Sequence, residues 1–299
     1  MIISYFGVVV IFILSNYKSG NFYFCMNPKF SIVNPNAKGT RVKKLIIDNQ
    51  GEKAFFKYEG DGYLVSEACS EKLCYEIAKI LDYPCAKIEL AKDNDGILGI
   101  LNYLFIKIGN VEHMDASSYL NIHNDQRPVF YTISNIKKTL DELDTNLFAD
   151  FIRIMFFDAL VGEQDRHEEN WGITKVANEY KLSPLYDNGD SLLRNFKDST
   201  YAEQYYSGKK CFESYINKSK SLIYKEDKQQ RYKHFELIKY LNDNYRNIVQ
   251  KEIRNLNKLT DEKIENIVNR IPDELLTDIH KKYIIIYLKK RRDILLNIQ

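Results

Sequence analysis

The chain has 299 residues, of which 44% are hydrophobic and 13% aromatic, enough for one large domain or two lobes with a real core. With a formal net charge of only +2, this composition excludes a disordered chain and gives no sign of direct nucleic-acid binding. The five cysteines form no Cys-x-x-Cys pair, and no histidine lies at metal-ligand spacing from them, which indicates buried thiols in a reducing compartment rather than a zinc site.

Residues 1–26 form an apolar leader, uncharged from Ile2 to Leu14 and interrupted only by Ser4 and Gly7. This stretch is short for a membrane span of about 20 residues, and it lacks the basic start and cleavage site of a signal peptide. Three alternatives stay open: a mis-assigned start, with Met26 as the true one, or a disordered leader; a packed segment; and a membrane anchor. A membrane location is the least expected of these, and we expect a cytoplasmic protein.

Residues 27–107 predict a small β-rich lobe. The segment RVKKLIIDNQGEKAFFKYEG predicts two strands around the turn DNQGE, and CAKIELAKDNDGILGILNYLFIK predicts a second hairpin that turns at DNDG. Between them, residues 66–81 predict a helix, because Ser66 can cap its start and an apolar stripe follows. That stripe consists of Cys74, Ile77, Ala78 and Leu81.

Residues 108–299 predict a larger helical lobe, so the fold class is α+β with two lobes. The segment DTNLFADFIRIMFFDALVG, with a capping cluster at residues 144–146, has apolar side chains all round and predicts a buried central helix. The segments WGITKV and YKLSPLY predict a hairpin, and residues 232–299 predict several helices. Near the end of the last helix, the basic run from Lys289 to Arg292 is expected to be solvated.

The loop between the central helix and the hairpin, VGEQDRHEENWGI, holds one of five histidines and the only tryptophan. Asp165 and Asn170 are five residues apart, the spacing of the protein-kinase catalytic loop, in which the Asp accepts a hydroxyl proton and the Asn holds Mg²⁺. Alone this spacing is common by chance. His167 can brace the loop or, less expected, act as the base, and Trp171 should pack beneath it.

The segment SPLYDNGDSL places Asp187 just after the hairpin and two residues before Gly189. This resembles the Asp-x-Gly sequence whose Asp binds the Mg²⁺ of a nucleotide, and the hairpin would return Asp187 beside Asn170. The alternative is a turn-forming Asp before glycine.

Lys57 stands among aromatic residues in a strand pattern, where a buried amine needs a partner. Glu71 falls on the apolar stripe of the predicted helix, so an ion pair between the two is predicted, which would position the amine for phosphates. Glu67, one turn earlier, is the alternative partner. Lys53, near the turn, is the less favoured lysine, and two solvated surface charges are the simpler alternative.

A loop over the phosphates should precede these strands, and NPNAKGTRVKK is the only candidate. It offers one glycine, Gly39, followed by Thr40 and Arg41. The segment matches neither Gly-x-Gly-x-x-Gly nor a Walker loop, so an ordinary turn is the alternative.

DRHEEN, LYDNG and the Lys57–Glu71 pair together resemble the HipA-like bacterial serine/threonine kinases, especially their compact single-chain members. The family carries Asp-x-His-x-x-Asn followed by an Asp in a Tyr/Phe-Asp context, and the resemblance runs in order from Phe30 to Gln299. It implies a two-lobed protein-kinase-like fold that uses ATP and Mg²⁺ to phosphorylate a protein hydroxyl, and self-phosphorylation stays open. Toxin members have an additional N-terminal subdomain that we do not find here, so an antitoxin-like partner stays open.

The resemblance also implies roles for individual residues. Gly39, Thr40 and Arg41 would cover the nucleotide phosphates, and Lys57, held by Glu71, would contact them. Asp165, beside His167, would be the base. Asn170 and Asp187 would be the metal ligands. The runner-up is a lipid kinase, because DRHEEN is also similar to the Asp-Arg-His-x-x-Asn loop of phosphatidylinositol kinases. A non-catalytic kinase-fold binding module and chance matches are the remaining alternatives.

Overall fold

The computed structural model describes residues 8–9, 12–14, 24–26, 30–34, 43–48, 50–59, 65–93, 95–106, 111–120, 127–194, 204, 207–208, 212–226 and 229–299. An eight-stranded antiparallel sheet with the order β1-β4-β5-β6-β8-β7-β2-β3 forms the first lobe. Its strands are β1 (Val8–Val9), β2 (Phe12–Leu14), β3 (Phe24–Met26), β4 (Phe30–Asn34), β5 (Lys43–Ile47), β6 (Lys53–Tyr58), β7 (Ile88–Lys92) and β8 (Leu98–Tyr103).

Both predicted hairpins, β5–β6 and β7–β8, are confirmed. Strands β1 to β3 come from the apolar leader, where β1 pairs with β4 and β2 pairs with β7. Among the helices of the described part of the chain, none is long and apolar enough to cross a bilayer.

Helix α1 (Glu67–Ile80) packs on β7 and β8, as the apolar stripe predicts. Ser66 caps it by accepting a hydrogen bond from the backbone N–H of Cys69 at 3.1 Å. Side chains alternate across a strand, so Ala54 and Phe56 of β6 enter a small core with other strand residues while Lys57 points to the opposite face. This alternation directs the Lys57 amine toward α1.

The second lobe contains two smaller sheets and most of the helices. Its strands are β9 (Val111–Asp115), β10 (Gly172–Val176) and β11 (Glu179–Leu182) in the order β11-β10-β9, with β12 (Lys220–Tyr224) paired to β13 (Arg231–Lys233). Its helices are α2 (Ala116–Leu120), α3 (Arg127–Phe130), α4 (Ile133–Leu143), α5 (Leu147–Val161), α6 (Phe212–Lys218), α7 (His234–Asn244), α8 (Arg246–Leu256), α9 (Asp261–Asn269) and α10 (Asp278–Leu296).

Helix α5 is the predicted buried central helix, and α4, α7, α8 and α10 contact it. It begins after Asn146, whose own side chain makes no capping hydrogen bond, while Asp144 Oδ1 accepts from the backbone N–H of Asn146 at 2.8 Å. It ends at Gly162, which has a left-handed φ of 74°. The loop that carries Asp165 and Asn170 therefore starts directly at the end of this buried helix.

Three details of the second lobe differ from the sequence expectations. Strand β9 was not predicted, and its pairing with β10 makes three strands where a hairpin was expected. Strand β11 ends at Leu182, earlier than predicted, because Pro184 cannot donate a backbone hydrogen bond to continue the ladder. The expectation of a solvated basic run is wrong for Arg291, which is fully buried.

Candidate active site

A group of charged side chains from three different elements meets between the lobes. Lys57 Nζ, from β6, donates hydrogen bonds to Glu71 Oε1 of α1 at 2.5 Å and to Asp187 Oδ1 at 3.2 Å. Glu67 Oε1 lies 4.0 Å from the same amine. The other Glu71 oxygen accepts a hydrogen bond from Asn102 Nδ2 at 3.1 Å. The predicted Lys57–Glu71 ion pair is thus present, and it extends to the predicted metal ligand Asp187.

The opposite charges in this group offset the cost of removing each other from water. Burial alone would lower the pKa of Lys57, but the Glu71 and Asp187 carboxylates raise it overall, so the ammonium stays protonated. Burial raises the pKa of Glu71, which the Lys57 ammonium opposes at 2.5 Å, and this short contact favours the ionised pair. Burial also acts to raise the pKa of Asp187, yet Lys57 lowers it below its ordinary value.

The catalytic-loop sequence folds into a compact turn closed by its own hydrogen bonds. Asn170 Nδ2 donates to the backbone oxygen of Asp165 at 2.7 Å, and the backbone N–H of Asp165 donates to Glu163 Oε1 at 2.8 Å. His167 Nδ1 accepts from the backbone N–H of Glu169 at 3.2 Å. The Asp165 side chain itself is 58% exposed, and its Oδ2 lies 3.8 Å from His167 Nε2. A substrate can therefore reach the Asp165 carboxylate, and His167 braces the loop that carries it.

Trp171 packs beneath this loop, as predicted. Its ring lies against Phe151 of α5, and its Nε1 donates to the hydroxyl of Tyr131 at 2.8 Å. The Tyr131 hydroxyl donates in turn to the backbone oxygen of Arg166, also at 2.8 Å. Sequence reasoning missed Tyr131, because no motif connects it to a loop so far along the chain.

The segment that carries Asp187 has an unusual backbone. Asp187 has a left-handed φ of 53°, which costs a non-glycine residue free energy unless its surroundings hold it. Just before it, the backbone N–H of Leu185 donates to the carbonyl of Pro84 at 2.8 Å and so joins the segment to the connection between α1 and β7. A Cβ at Gly189 would lie 2.2 Å from Cγ of Glu67, so the glycine permits α1 to approach.

The carboxylates of Glu67, Glu71 and Asp187 each have an oxygen within 4.8 Å of the others. From the sequence, Glu67 was predicted only as an alternative partner for Lys57. The short distance between Glu67 and Asp187 was not predicted. The predicted metal ligands are Asp187 and Asn170. Their carboxylate and amide oxygens are the donors that Mg²⁺ prefers, and the Asn170 amide nitrogen is already bonded, so its oxygen remains for a ligand.

The predicted phosphate cover falls outside the described residues. Gly39, Thr40 and Arg41 lie between β4 and β5, within residues 35–42. The same applies to the predicted boundary between the lobes, since residues 107–110 are not described. These assignments stay predictions.

Comparison with known proteins decides the family. A family model described as the HipA-like C-terminal domain matches residues 26–275, which is most of the chain. The chain belongs to the HipA-like C-terminal domain family. This confirms the resemblance inferred from DRHEEN and LYDNG.

Individual relatives agree with the HipA-like assignment. The serine/threonine-protein kinase CtkA of Helicobacter pylori is 23% identical over 202 residues, which are 67% of this chain and 58% of CtkA. The HipA-like chain therefore spans little more than half the length of this curated relative.

Solved structures support the fold of the HipA-like chain. The crystal structure of the proinflammatory kinase CtkA of H. pylori matches with a TM-score of 0.71 and 17% identity, covering 86% of this chain and 92% of that one. HipA of Shewanella oneidensis, solved with HipB and its operator DNA, matches with a TM-score of 0.58 and 12% identity over 87% and 65% of the two chains. The two-lobed α+β kinase-like fold is thus confirmed, and a protein kinase is supported at the level of the family.

Proposed function

We propose that this chain is an ATP-dependent protein kinase that uses Mg²⁺ to transfer the γ-phosphoryl group to a Ser/Thr hydroxyl of a protein. The observation that carries the proposal is the contact of Lys57 with both Glu71 and Asp187. In protein kinases, a strand lysine paired with a helix glutamate and a metal-binding aspartate must both be in place for transfer. Here these groups come from β6, α1 and the segment after β11, in the chain order that a kinase requires.

Nucleotide and metal would be held by groups on both lobes. Lys57 would contact the phosphates, and Glu71 would fix its amine in position. Asp187 and Asn170 would hold Mg²⁺, which when bound offsets the negative charge of the transferring phosphoryl group. Gly39, Thr40 and Arg41 would cover the phosphates, in keeping with the resemblance to the family.

Asp165 would accept the proton of the substrate hydroxyl. Its carboxylate is exposed, so a protein side chain can approach it, while its backbone is bonded to Glu163 and Asn170. His167 would hold the loop through the hydrogen bond that its Nδ1 accepts from the backbone N–H of Glu169. A base must lie within hydrogen-bonding reach of the proton that it removes, which an exposed carboxylate on a rigid loop allows.

The test is a phosphorylation assay with labelled ATP and Mg²⁺ on the full chain. Wild type is compared with Asp165→Ala and Asp187→Ala, with transfer both to itself and to a general protein substrate. Asp141→Ala is the matched control, because this aspartate pairs with Lys137 on the surface of α4. We expect label in the wild type and the control that disappears in both site variants.

Other outcomes of the assay would redirect the assignment. When phosphatidylinositol is supplied as a further substrate, label on this lipid but on no protein would support the lipid-kinase alternative. Nucleotide binding without transfer to any substrate would support a non-catalytic binding module. Unchanged transfer in Asp187→Ala would contradict the proposed metal site.

An antitoxin-like partner is part of the proposal at the level of the family. The support is the S. oneidensis neighbour, whose HipA was solved in a complex with HipB and operator DNA. Co-expression with a HipB-type protein followed by size-exclusion chromatography tests it. Co-elution is the expected result, and separate elution would contradict the partner.

A further inference from the structure

Arg166 follows the proposed base directly and is only 2% exposed. Its guanidinium bonds to the Asp158 carboxylate of α5, with Nη2 at 2.9 Å and Nε at 3.2 and 3.3 Å. Its Nη1 donates to the backbone oxygens of Asn170 at 2.9 Å and of Tyr186 at 2.7 Å. Its Nη2 also donates to Asn188 Oδ1 at 2.5 Å.

These acceptors are not a random selection of neighbours. Apart from the Asp158 carboxylate, one is the backbone oxygen of Asn170, and the other two belong to the residues immediately before and after Asp187. A guanidinium is planar and presents its donors in a fixed fork, so groups bonded to it keep fixed positions relative to one another. We propose that Arg166 is a positioning residue that sets the distance between Asn170 and Asp187 and thereby shapes the metal site. This inference rests on the proposed function.

The backbone of Asp187 supports the inference. Its left-handed φ of 53° persists only where the surrounding structure fixes it, and bonds from Arg166 to Tyr186 and Asn188 hold the chain on both sides of it. Asp187 is thus held in its strained conformation by a group that lies outside the metal site.

Asp158 ties this arrangement to the core of the lobe. It lies on α5 and is itself buried, so the guanidinium is anchored to the buried central helix of the lobe. Burial alone would lower the pKa of Arg166, but the Asp158 and Glu163 carboxylates raise it, so the side chain remains charged. A lysine here would keep the charge but lose the planar fork.

Arg166→Lys tests the role, with Arg291→Lys as the matched control. Arg291 is equally buried and donates to Ala159 O, Ile216 O and Ser219 Oγ, none of which flanks a proposed metal ligand. Two quantities are measured: the dissociation constant of Mn²⁺ with a non-hydrolysable ATP analogue, by calorimetry, and the unfolding temperature. The calorimetric readout does not depend on turnover.

Arg166→Lys should weaken Mn²⁺ binding about 10- to 100-fold, the usual effect of losing a group that orients metal ligands. Arg291→Lys should lower the unfolding temperature and leave the Mn²⁺ dissociation constant close to that of the wild type. An Arg166→Lys protein that loses only stability and binds Mn²⁺ like the wild type would overturn the inference. A wild type that binds no Mn²⁺ with nucleotide would overturn the proposed function, which separates the two failures.

If Arg166→Lys does not fold, a second pair of variants tests the positioning role of Arg166 through its acceptor Asn188. Asn188→Ala removes one acceptor of the guanidinium, whereas Asn188→Asp keeps an oxygen at the same place. We expect Asn188→Ala to weaken Mn²⁺ binding about 5-fold, as the loss of one hydrogen bond would, and Asn188→Asp to restore it. Equal Mn²⁺ affinity in Asn188→Ala and the wild type would overturn the inference.

Discussion

Lys57 and Arg291 are both largely buried cations, but their surroundings are opposite. Lys57 faces the carboxylates of Glu71, Asp187 and Glu67 within 4.0 Å. The hydrogen-bond acceptors of Arg291 are all uncharged; they are Ala159 O, Ile216 O, Ser219 Oγ, Tyr287 OH and His234 Nδ1. Charges on its neighbours raise the pKa of Lys57 despite burial, whereas burial lowers the pKa of Arg291.

We interpret the surroundings of Lys57 as those of a proposed reaction site and the surroundings of Arg291 as those of a structural contact. Three carboxylates around one ammonium leave negative charge, which a divalent cation would stabilise. The neutral acceptors of Arg291 instead join α10 to α5, α6 and α7 around the start of the catalytic loop. Arg291 donates to backbone oxygens and so fixes the positions of these helices. We therefore expect replacement of Lys57 to affect mainly the reaction rate and replacement of Arg291 to affect mainly the free energy of unfolding.

Replacing Lys57 should have the largest effect on the reaction. Lys57→Met should lower phosphoryl transfer by about 10²- to 10³-fold, as expected for the loss of one preorganised charge at the reacting group. The measurement is the initial rate of labelled-phosphate transfer at saturating ATP. Lys53→Met, on the same strand, is the control and should transfer at the wild-type rate, so an equal loss in both variants would contradict the assignment.

Replacing Arg291 should have the largest effect on stability. Arg291→Met leaves several buried acceptors without donors and should lower the free energy of unfolding by about 2–4 kcal/mol. Chemical denaturation measures this, and the transfer rate per folded molecule should stay near that of the wild type. A stable variant with a strongly reduced rate would reverse the comparison and make Arg291 part of the reaction.

Gly162 tests the structural role of the contacts around Arg291, because it packs against Tyr287. A Cβ there would lie 1.9 Å from the hydroxyl oxygen of Tyr287, and the φ of 74° disfavours any other residue. Gly162→Ala should lower the free energy of unfolding by about 1–3 kcal/mol. Adding Tyr287→Phe removes the clashing oxygen, so denaturation of the double variant should show partial recovery. Tyr287→Phe alone is the reference, because it also removes an acceptor of Arg291. If Gly162→Ala costs as much in that background as in the wild type, the contact with the hydroxyl does not contribute.

His234 gives the smallest effect, a dependence of stability on pH. Burial and the neighbouring Arg291 hold its pKa well below the ordinary value, so the folded chain leaves it neutral while the unfolded chain protonates it below about pH 6.5. Its contribution to stability is therefore complete above that pH and is lost as the pH falls toward 5, with a slope of at most about 1.4 kcal/mol per pH unit. His234→Asn should flatten this part of the profile in denaturation at pH 5 to 8, and an unchanged slope would contradict the neutral histidine.

Local patterns in the sequence predicted the parts of the fold that depend on nearby residues. The two hairpins of the first lobe follow from turn residues and strand periodicity, and α1 follows from Ser66 and its apolar stripe. The Lys57–Glu71 pair was also predictable, because an inward-facing amine and an inward-facing carboxylate each need a partner. The spacing of Asp165 and Asn170 indicated the loop.

Contacts over long sequence distances were not predictable in this way. Arg291 lies in a basic run that is typical of a solvated helix end, and only the packing of α10 against α5 shows that one of these cations is buried. Arg166 also has partners that are distant along the chain, Tyr186 and Asn188. Its bonds to both neighbours of Asp187 depend on how β11 returns the chain to the loop, and no spacing in the sequence indicates that return.

The most direct test of the proposed kinase is to separate phosphoryl transfer from metal–nucleotide binding at Asp165. The measurement is the rate of label transfer to a protein hydroxyl, together with the Mn²⁺–nucleotide dissociation constant, in wild type and Asp165→Ala. If Asp165 accepts the proton and does not hold the metal, Asp165→Ala should lose phosphoryl transfer while its Mn²⁺–nucleotide dissociation constant stays near that of the wild type. Transfer at the wild-type rate in Asp165→Ala would contradict the account.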